Sequence, residues 1–517
     1  MNPSCIGFPL IRWIGTKEIK KNLIFLPDEK LYEFIRRAII GGRCYPKQKY
    51  FESKFYKRIM NTKTDDERKK LYKEVFESGD YVFAADIVSM YPTCMMGVEG
   101  LLDVEYPLGQ CHMSENPEKE FKDGKLGFYE IEFIPPKDLL HPRVPYKNTE
   151  GRLIWGLENR KGIFCSVDIE DMIEVGYKVK FINHCYVYEN KSKIGNSPFK
   201  YYIEKFFMLK QQAEKEGNAV KRNIAKLLMN SLYGKMLQGM CDESSSFFNE
   251  NEYKEFLEWY NDNEMTSWRG FDNGLFVSGS AKEKRNTITK PGQMGAFILA
   301  YSRRLGYKYY KECGLDKHFM IYGDTDSMYI FGEYHKKLLS KNLIRSNELG
   351  YLSNDVKGKN AIIIRQINVA PKCYSYIAID EDAKIIENKK AKGINKNRLN
   401  QQMYEDYLSG VKDEYRDIIS VIKKKGSYEK VEKYCIYNDI NISKEKYEKA
   451  LEINEKHLVE WNGLKKISKH VTKEENENGI EIFSIKNQKY SREFDSCIWK
   501  NMTLKDNIYY PIGYCEI

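Results

Sequence analysis

Asp86, Asp324 and Asp326 are acidic residues in settings where a carboxylate is costly. Asp324 and Asp326 stand two apart in "YGDTDS", within "HFMIYGDTDSMYIF", a run that reads as a β-strand. Side chains alternate faces along a strand, so both carboxylates are expected on one face, repelling each other unless a cation lies between them or one is protonated. Asp86 closes a second apolar run, "FAADIVSMYPT", and is followed by Ser89, Tyr91 and Pro92 in what reads as a turn. An acid at a strand end is an ordinary cap in most proteins. Joined to the pair at 324 and 326, it supplies the third carboxylate that two divalent cations need when phosphate oxygens and water complete their shells. The chemistry such a trio serves is phosphoryl transfer.

A second group of residues lies in "KRNIAKLLMNSLYGK". At about 100° per residue with Lys226 at zero, Arg222 falls near −40°, Asn230 near +40° and Tyr233 near −20°. Two cations, an amide and a phenol therefore share a face, and Ile224, Leu228 and Leu232 are expected to form the packing side. A basic stripe alone is most often a solvated face. This one includes a tyrosine followed by Gly234, which suits a surface meeting a triphosphate and a base.

The elements that would position these groups can be read in outline. "KLYEFIRRAII" is expected to be a helix ending at Gly41 and Gly42, and residues 55–78 a charged helical stretch with Thr64 as a cap. Residues 101–200 mix short strands with Pro and Gly turns. Residues 200–238 form a helical pair broken at Gly217 and Asn218, 240–292 are polar, and "GAFILAYSRRLGYKYYKE" is a helix before the acidic strand. From about residue 395 the chain is highly charged and largely helical.

The 517 residues, 42% of them hydrophobic, exclude wholesale disorder and allow a core divided over several subdomains. Eighty-four basic residues against 74 acidic ones give a net charge of +10, compatible with a polyanionic partner. The twelve cysteines show neither zinc spacing nor a disulfide framework and read as buried thiols. No stretch reaches the roughly 18 to 20 apolar residues of a membrane span, and no signal segment is visible. The expectation is a soluble, intracellular protein of a host cytoplasm, with virion or organelle as alternatives, and no membrane partner.

"DIVSMYP", "KLLMNSLYG" and "YGDTDS", in that order, resemble the A, B and C motifs of family B DNA polymerases, D-x-x-S-L-Y-P, K-x-x-x-N-S-x-Y-G and Y-x-D-T-D-S. Met90 is the one departure. "PKCYSY" resembles the K-x-Y motif that contacts primer-terminus DNA, and "RRAIIGGRCYP" the Y-x-G-G segment of the protein-primed branch, with Ile39 standing where that motif has Tyr. The resemblance implies an α/β (α+β) right-hand polymerase with palm, fingers and thumb. It makes Asp86 and Asp326 the metal ligands, with the Ile87 carbonyl assisting and Asp324 a catalytic neighbour. Two Mg²⁺ ions, replaceable by Mn²⁺, are the implied cofactor. Ser89, Tyr91, Lys210, Arg222, Lys226, Asn230 and Tyr233 would bind the incoming dNTP, Tyr91 beneath the sugar. Gly41, Gly42, Arg43, Lys372 and Tyr374 would touch template and primer DNA.

By the same resemblance, residues 1–79 form an N-terminal segment, 80–110 and 293–380 the palm, 200–238 the fingers and 381–517 the thumb with a charged C-terminal region. Residues 111–199 and 239–292 are placed like the two insertions of protein-primed polymerases, the first contacting a terminal protein and the second encircling DNA. Asp168 and Glu170 in "SVDIEDMIEVGY" then read as structural or partner-contacting. Only 85 residues precede Asp86, too few for the family's exonuclease domain, and Asp65 and Glu67 in "TDDERKK" read as a solvated helix start. Polymerisation without intrinsic proofreading is expected, the exonuclease being absent or supplied by another replication protein. Two rival readings stay open: a nucleic-acid-primed family B polymerase, and a non-catalytic DNA-binding subunit.

Overall fold

The computed structural model describes residues 24–46, 48–147, 153–238, 244–248, 253–270, 277–283, 290–318, 320–391, 399–408, 418, 427–437, 442–461, 470–475, 481–486, 490–493, 501–505 and 508–511. The chain enters through α1 (Glu29–Ala38), where Asp28 caps the helix by accepting the Leu31 amide at 2.8 Å and Leu31, Phe34, Ile35 and Ala38 are buried. Strands β1 (Cys44–Pro46) and β2 (Tyr50–Glu52) lead to α2 (Tyr56–Asn61) and α3 (Asp65–Ser78). Asp65, Asp66 and Glu67 fill the first turn of α3, where carboxylates complement the helix dipole, and Gly79 ends it in the left-handed region. Next come β3 (Val82–Ile87) and α4 (Met90–Met96), so residues expected as a turn after Asp86 begin a helix.

A subdomain over 107–191 follows: β4 (Pro107–Ser114), α5 (Pro117–Lys122), β5 (Gly127–Ile134), β6 (Tyr146–Lys147), β7 (Leu153–Ile154), β8 (Arg160–Cys165), α6 (Ser166–Glu174) and β9 (Lys178–Lys191). Its sheet has the order β4-β9-β5-β8, all antiparallel. Helices α7 (Lys200–Lys215) and α8 (Ala219–Leu237) form a hairpin turned at Gly217, φ 67°, with Asn218 accepting the Lys221 amide at 3.0 Å. Residues expected only as a polar stretch contain β10 (Ser244–Phe248), α9 (Tyr253–Asp262), β11 (Asn263–Gly270) and β12 (Val277–Glu283), paired in the order β10-β12-β11. Helix α10 (Gly292–Cys313) is buried on every side from Gly292 to Ser302, as expected of a helix at the centre of a large core.

The remaining elements are β13 (Tyr322–Asp324), β14 (Ser327–Phe331), α11 (Gly332–Ser340), β15 (Leu352–Asn354), β16 (Ile362–Ala370), β17 (Cys373–Ile379), β18 (Ile385–Ala391), α12 (Gln401–Leu408), α13 (Tyr428–Tyr437) and α14 (Lys444–His457), before short strands. Nine strands make one antiparallel sheet, β1-β13-β14-β3-β16-β17-β18, with β15 joined to β3 and β2 to β16. Alternation along β3 sends Phe83, Ala85 and Ile87 into the core shared with α1, α3 and α10. Val82 and Ala84 pack on the other face with Tyr322, Tyr329, Tyr374 and Tyr376. Asp86, two residues beyond Ala84, belongs to that second face.

Two expectations are corrected. The "YGDTDS" run is a tight hairpin, Asp324 pairing opposite Ser327 and Thr325 turning at φ 62°, so the two carboxylates meet across a turn rather than along one strand. In α8 the buried side is Ala225, Met229, Leu232 and Met236, while Ile224 is 52% exposed. The helix is rotated so that its polar stripe borders the packing face instead of opposing it, because the stripe must reach over the sheet.

Candidate active site

Strand β3 brings the acidic residues together. Asp86 pairs opposite Ser327 on one side and Ser353 on the other, and the Ile87 amide donates to the Asp326 carbonyl at 2.9 Å. Burial first, then Asp326 and Asp355, pushes the Asp86 carboxyl up to about 8, against the opposing pull of Lys226 and Lys390. Burial likewise raises Asp326, with its backbone N–H opposing and Asp324 adding to the rise. Asp324 is paired with the Lys372 ammonium. Ser89, Thr325 and Lys372 are non-glycine residues at φ 52°, 62° and 63°. One such residue stands in each of the three segments that meet here, a concentration of backbone strain that only rigid surroundings sustain.

The helical hairpin closes the other side. A cleft of about 330 Å³ is lined by Asp86, Ile87, Ser89, Tyr91 and Asp326 from the sheet side and by Lys210, Arg222, Lys226 and Asn230 from α7 and α8. Glu214 holds two of these cations, accepting from Arg222 Nε at 2.7 Å and lying 3.9 Å from Lys210 Nζ. Burial lowers the Lys210 ammonium, Glu214 countering it. Tyr91 stacks on Tyr233 with centroids 3.8 Å apart and planes 22° off parallel. Two carboxylates thus face three cations and an amide across a space fit for a phosphorylated ligand. Among the described residues no three His, Cys, Asp or Glu side chains converge to hold an ion alone. Asp86, Asp326 and the Ile87 carbonyl nonetheless suit a hard cation that takes its remaining oxygens from phosphate and water.

The other expected residues are placed as follows. Gly41 is exposed and Gly42 lies against Thr325. The Arg43 guanidinium donates to the Pro142 carbonyl, lies 3.3 Å from His141 Nδ1 and sits 4.5 Å over the Trp155 ring. Tyr374 is 3% exposed, its hydroxyl 3.0 Å from that of Tyr329 and accepting from Lys390 at 3.4 Å. Asp168 is ion-paired to Arg303 and Glu170 to Arg304, which agrees with their structural reading. Sequence reasoning missed Asp355, Lys390 and Glu214. Asp355 follows β15 and its amide donates to Ala84 beside Asp86. Nothing in "LSNDVKG" marks it.

A sheet carrying strained acidic turns beneath a basic helical hairpin is the right-hand polymerase fold, and the comparisons agree. The family described as "DNA polymerase type B, organellar and viral" matches residues 68–313. A DNA polymerase of Kluyveromyces lactis is 26% identical over 420 residues, 75% of this chain and 35% of that protein. Those of Bovine adenovirus 2 and Human adenovirus E serotype 4 are 25% and 29% identical over 45% and 44% of the chain, and over 21% and 18% of their own length. The chain therefore spans about a third or less of these relatives. Phi29 DNA polymerase complexed with primer-template DNA and incoming nucleotide substrates shares the fold, with a TM-score of 0.54 at 17% identity over 78% of this chain and 63% of that one. Over residues 68–313 the chain is thus similar to the organellar and viral type B DNA polymerases.

Proposed function

We propose that this chain is a DNA-directed DNA polymerase, adding dNTPs to a 3′-hydroxyl or a protein hydroxyl on a DNA template. The observation that carries the reading is the single cleft where Asp86 and Asp326 face Lys210, Arg222, Lys226 and Asn230. The three cations bind the triphosphate by charge-assisted hydrogen bonds and stabilise the pyrophosphate as it leaves. Tyr91, braced by Tyr233, packs beneath the sugar and leaves no room for a 2′-hydroxyl. The primer oxygen attacks the α-phosphorus in line, the bond to the bridging oxygen breaks, and the hydroxyl proton is lost to solvent. Two Mg²⁺ ions held by Asp86, Asp326 and the Ile87 carbonyl would supply Lewis-acid stabilisation of the attacking and leaving oxygens.

Primer extension on a synthetic template with labelled dNTP tests the reading. Extension by the parent chain, lost in Asp86→Asn and Asp326→Asn while DNA binding persists, is expected. A folded parent that incorporates nothing overturns it. Protein priming is the finer proposal, supported by the 107–191 and 244–283 units lying where the resemblance places two insertions. Nucleotide attached covalently to a candidate terminal protein is its test, and extension of nucleic-acid primers alone would favour the rival.

A further inference from the structure

We propose that residues 40–44 form a strap that sets the position of the acidic turn, with Gly42 and Arg303 as positioning residues, and that the 107–191 subdomain bears on Asp324 and Asp326 through it. The polymerase reading gives the turn its meaning; the strap rests on contacts that stand without it.

At its far end the strap is part of the turn's own scaffold. The Arg43 carbonyl accepts the Thr325 amide at 2.7 Å, and Cys44 pairs opposite Asp324 in the β1–β13 ladder. A Cβ on Gly42 would stand 2.7 Å from Thr325 Cγ2, 3.2 Å from its Oγ1 and 3.3 Å from its Cβ. The backbone of Gly42 is not among the positive-φ positions, so it is close approach that requires glycine here. What it approaches is a threonine held at φ 62°, a conformation that persists only while neighbours over-determine it.

At its near end the strap is pinned twice to other units. Arg303 of α10 donates to the Ile40 carbonyl at 2.6 Å and to both Asp168 oxygens at 2.8 Å, and this pair is 9% and 3% exposed. Asp168 belongs to α6 of the 107–191 subdomain. Arg43 reaches the same subdomain through Pro142, His141 and Trp155. A planar guanidinium serving three acceptors fixes the strap in a way that an ammonium cannot copy.

The test compares the parent with Gly42→Ala, Gly42→Ala/Thr325→Gly and Arg303→Lys. Readouts are binding of Mn²⁺ alone, primer-template affinity, and kcat and KM for dNTP. Gly42→Ala should weaken Mn²⁺ binding and lower kcat about tenfold to a hundredfold. Thr325→Gly, which removes the three clashing atoms, should restore most of both. Arg303→Lys should show the same pattern more weakly. Unchanged Mn²⁺ binding and kcat in Gly42→Ala, or a loss confined to DNA affinity that Thr325→Gly does not repair, overturns the proposal. Should Gly42→Ala fail to fold, unchanged Mn²⁺ binding in Arg303→Lys overturns it equally. A parent that binds Mn²⁺ but incorporates no nucleotide sinks the polymerase reading, and the Mn²⁺ isotherms still decide the strap.

Discussion

Asp86 would carry opposed demands under the proposed polymerase reading: its carboxylate would be needed charged for a cation, yet burial and two neighbouring carboxylates resist that charge. Its folded value of about 8 lies above the ordinary 3.8, so the acid form is favoured in the folded protein. The resulting stabilisation is full below the ordinary value and is lost as pH rises toward 8. Metal-free Asp86→Asn should therefore melt above the parent at pH 8, the gap closing toward pH 4, even though the variant incorporates no nucleotide. Equal melting temperatures at pH 8 would show that the acidic site stores no such strain. Glu214 makes a second case, since it holds Arg222 and Lys210 where a triphosphate would compete for them. Glu214→Gln should lower the KM for dNTP about two- to fivefold, and an unchanged or raised KM would give Glu214 a different role. Asp86, Asp326, Lys226 and Asn230 were legible because their types recur at fixed spacing in three motifs, and Lys210, outside those motifs, only through the family resemblance. Glu214, Asp355 and Lys390 reach the same place from positions that no spacing constrains, and only the folded chain reveals them.

Elements follow the same logic at a larger scale. Helices α7 and α8 were legible with their break because Gly217 supplies the positive φ and Asn218 the cap that such a turn requires. Asn218→Ala should cost about 1 kcal/mol locally, read as faster amide exchange in the first turn of α8 and a higher KM for dNTP through Arg222. Exchange unchanged there would mean that packing alone holds the hairpin. The orientation of α8 was not legible. Ile224, Leu228 and Leu232 mark an apolar side by composition, yet only Leu232 of these is buried, together with Ala225, Met229 and Met236, a side turned by part of a revolution from the one expected. The acidic strand was misjudged for a related reason. Alternation in "MIYGDTDSMYIF" continues through the turn and conceals it, whereas Thr325 at φ 62° is a tertiary outcome that the threonine type itself disfavours. The strap at residues 40–44 helps explain how such a turn persists.

In the whole molecule, polymerase-like parts are separated by units that could leave without breaking the sheet. Helix α8 ends where α10 begins: a Cβ on Gly292 would stand 4.0 Å from the Met236 carbonyl oxygen, and one on Gly295 would meet the Leu237 side chain. Described residues between them make their own antiparallel sheet, β10-β12-β11, which composition marked only as polar sequence and the resemblance as an insertion, because no motif runs through it. Fold class was legible from the ordered motifs, while the strand Asn501–Lys505, pairing in parallel with Leu153–Ile154 across most of the chain, left no local sign in sequence. Because Met236 and Leu237 lie against Gly292 and Gly295, replacing the 240–290 segment by a short Gly/Ser linker should leave the melting temperature nearly unchanged and spare addition of the first few nucleotides. If the segment closes around the duplex, its removal should raise the rate of dissociation, and products made in one binding event should shorten sharply. The loss should deepen with added salt, because DNA then rests on exposed cations alone and these are screened. Equal product lengths from parent and deletion at every salt concentration would remove the reason for giving this unit an encircling role.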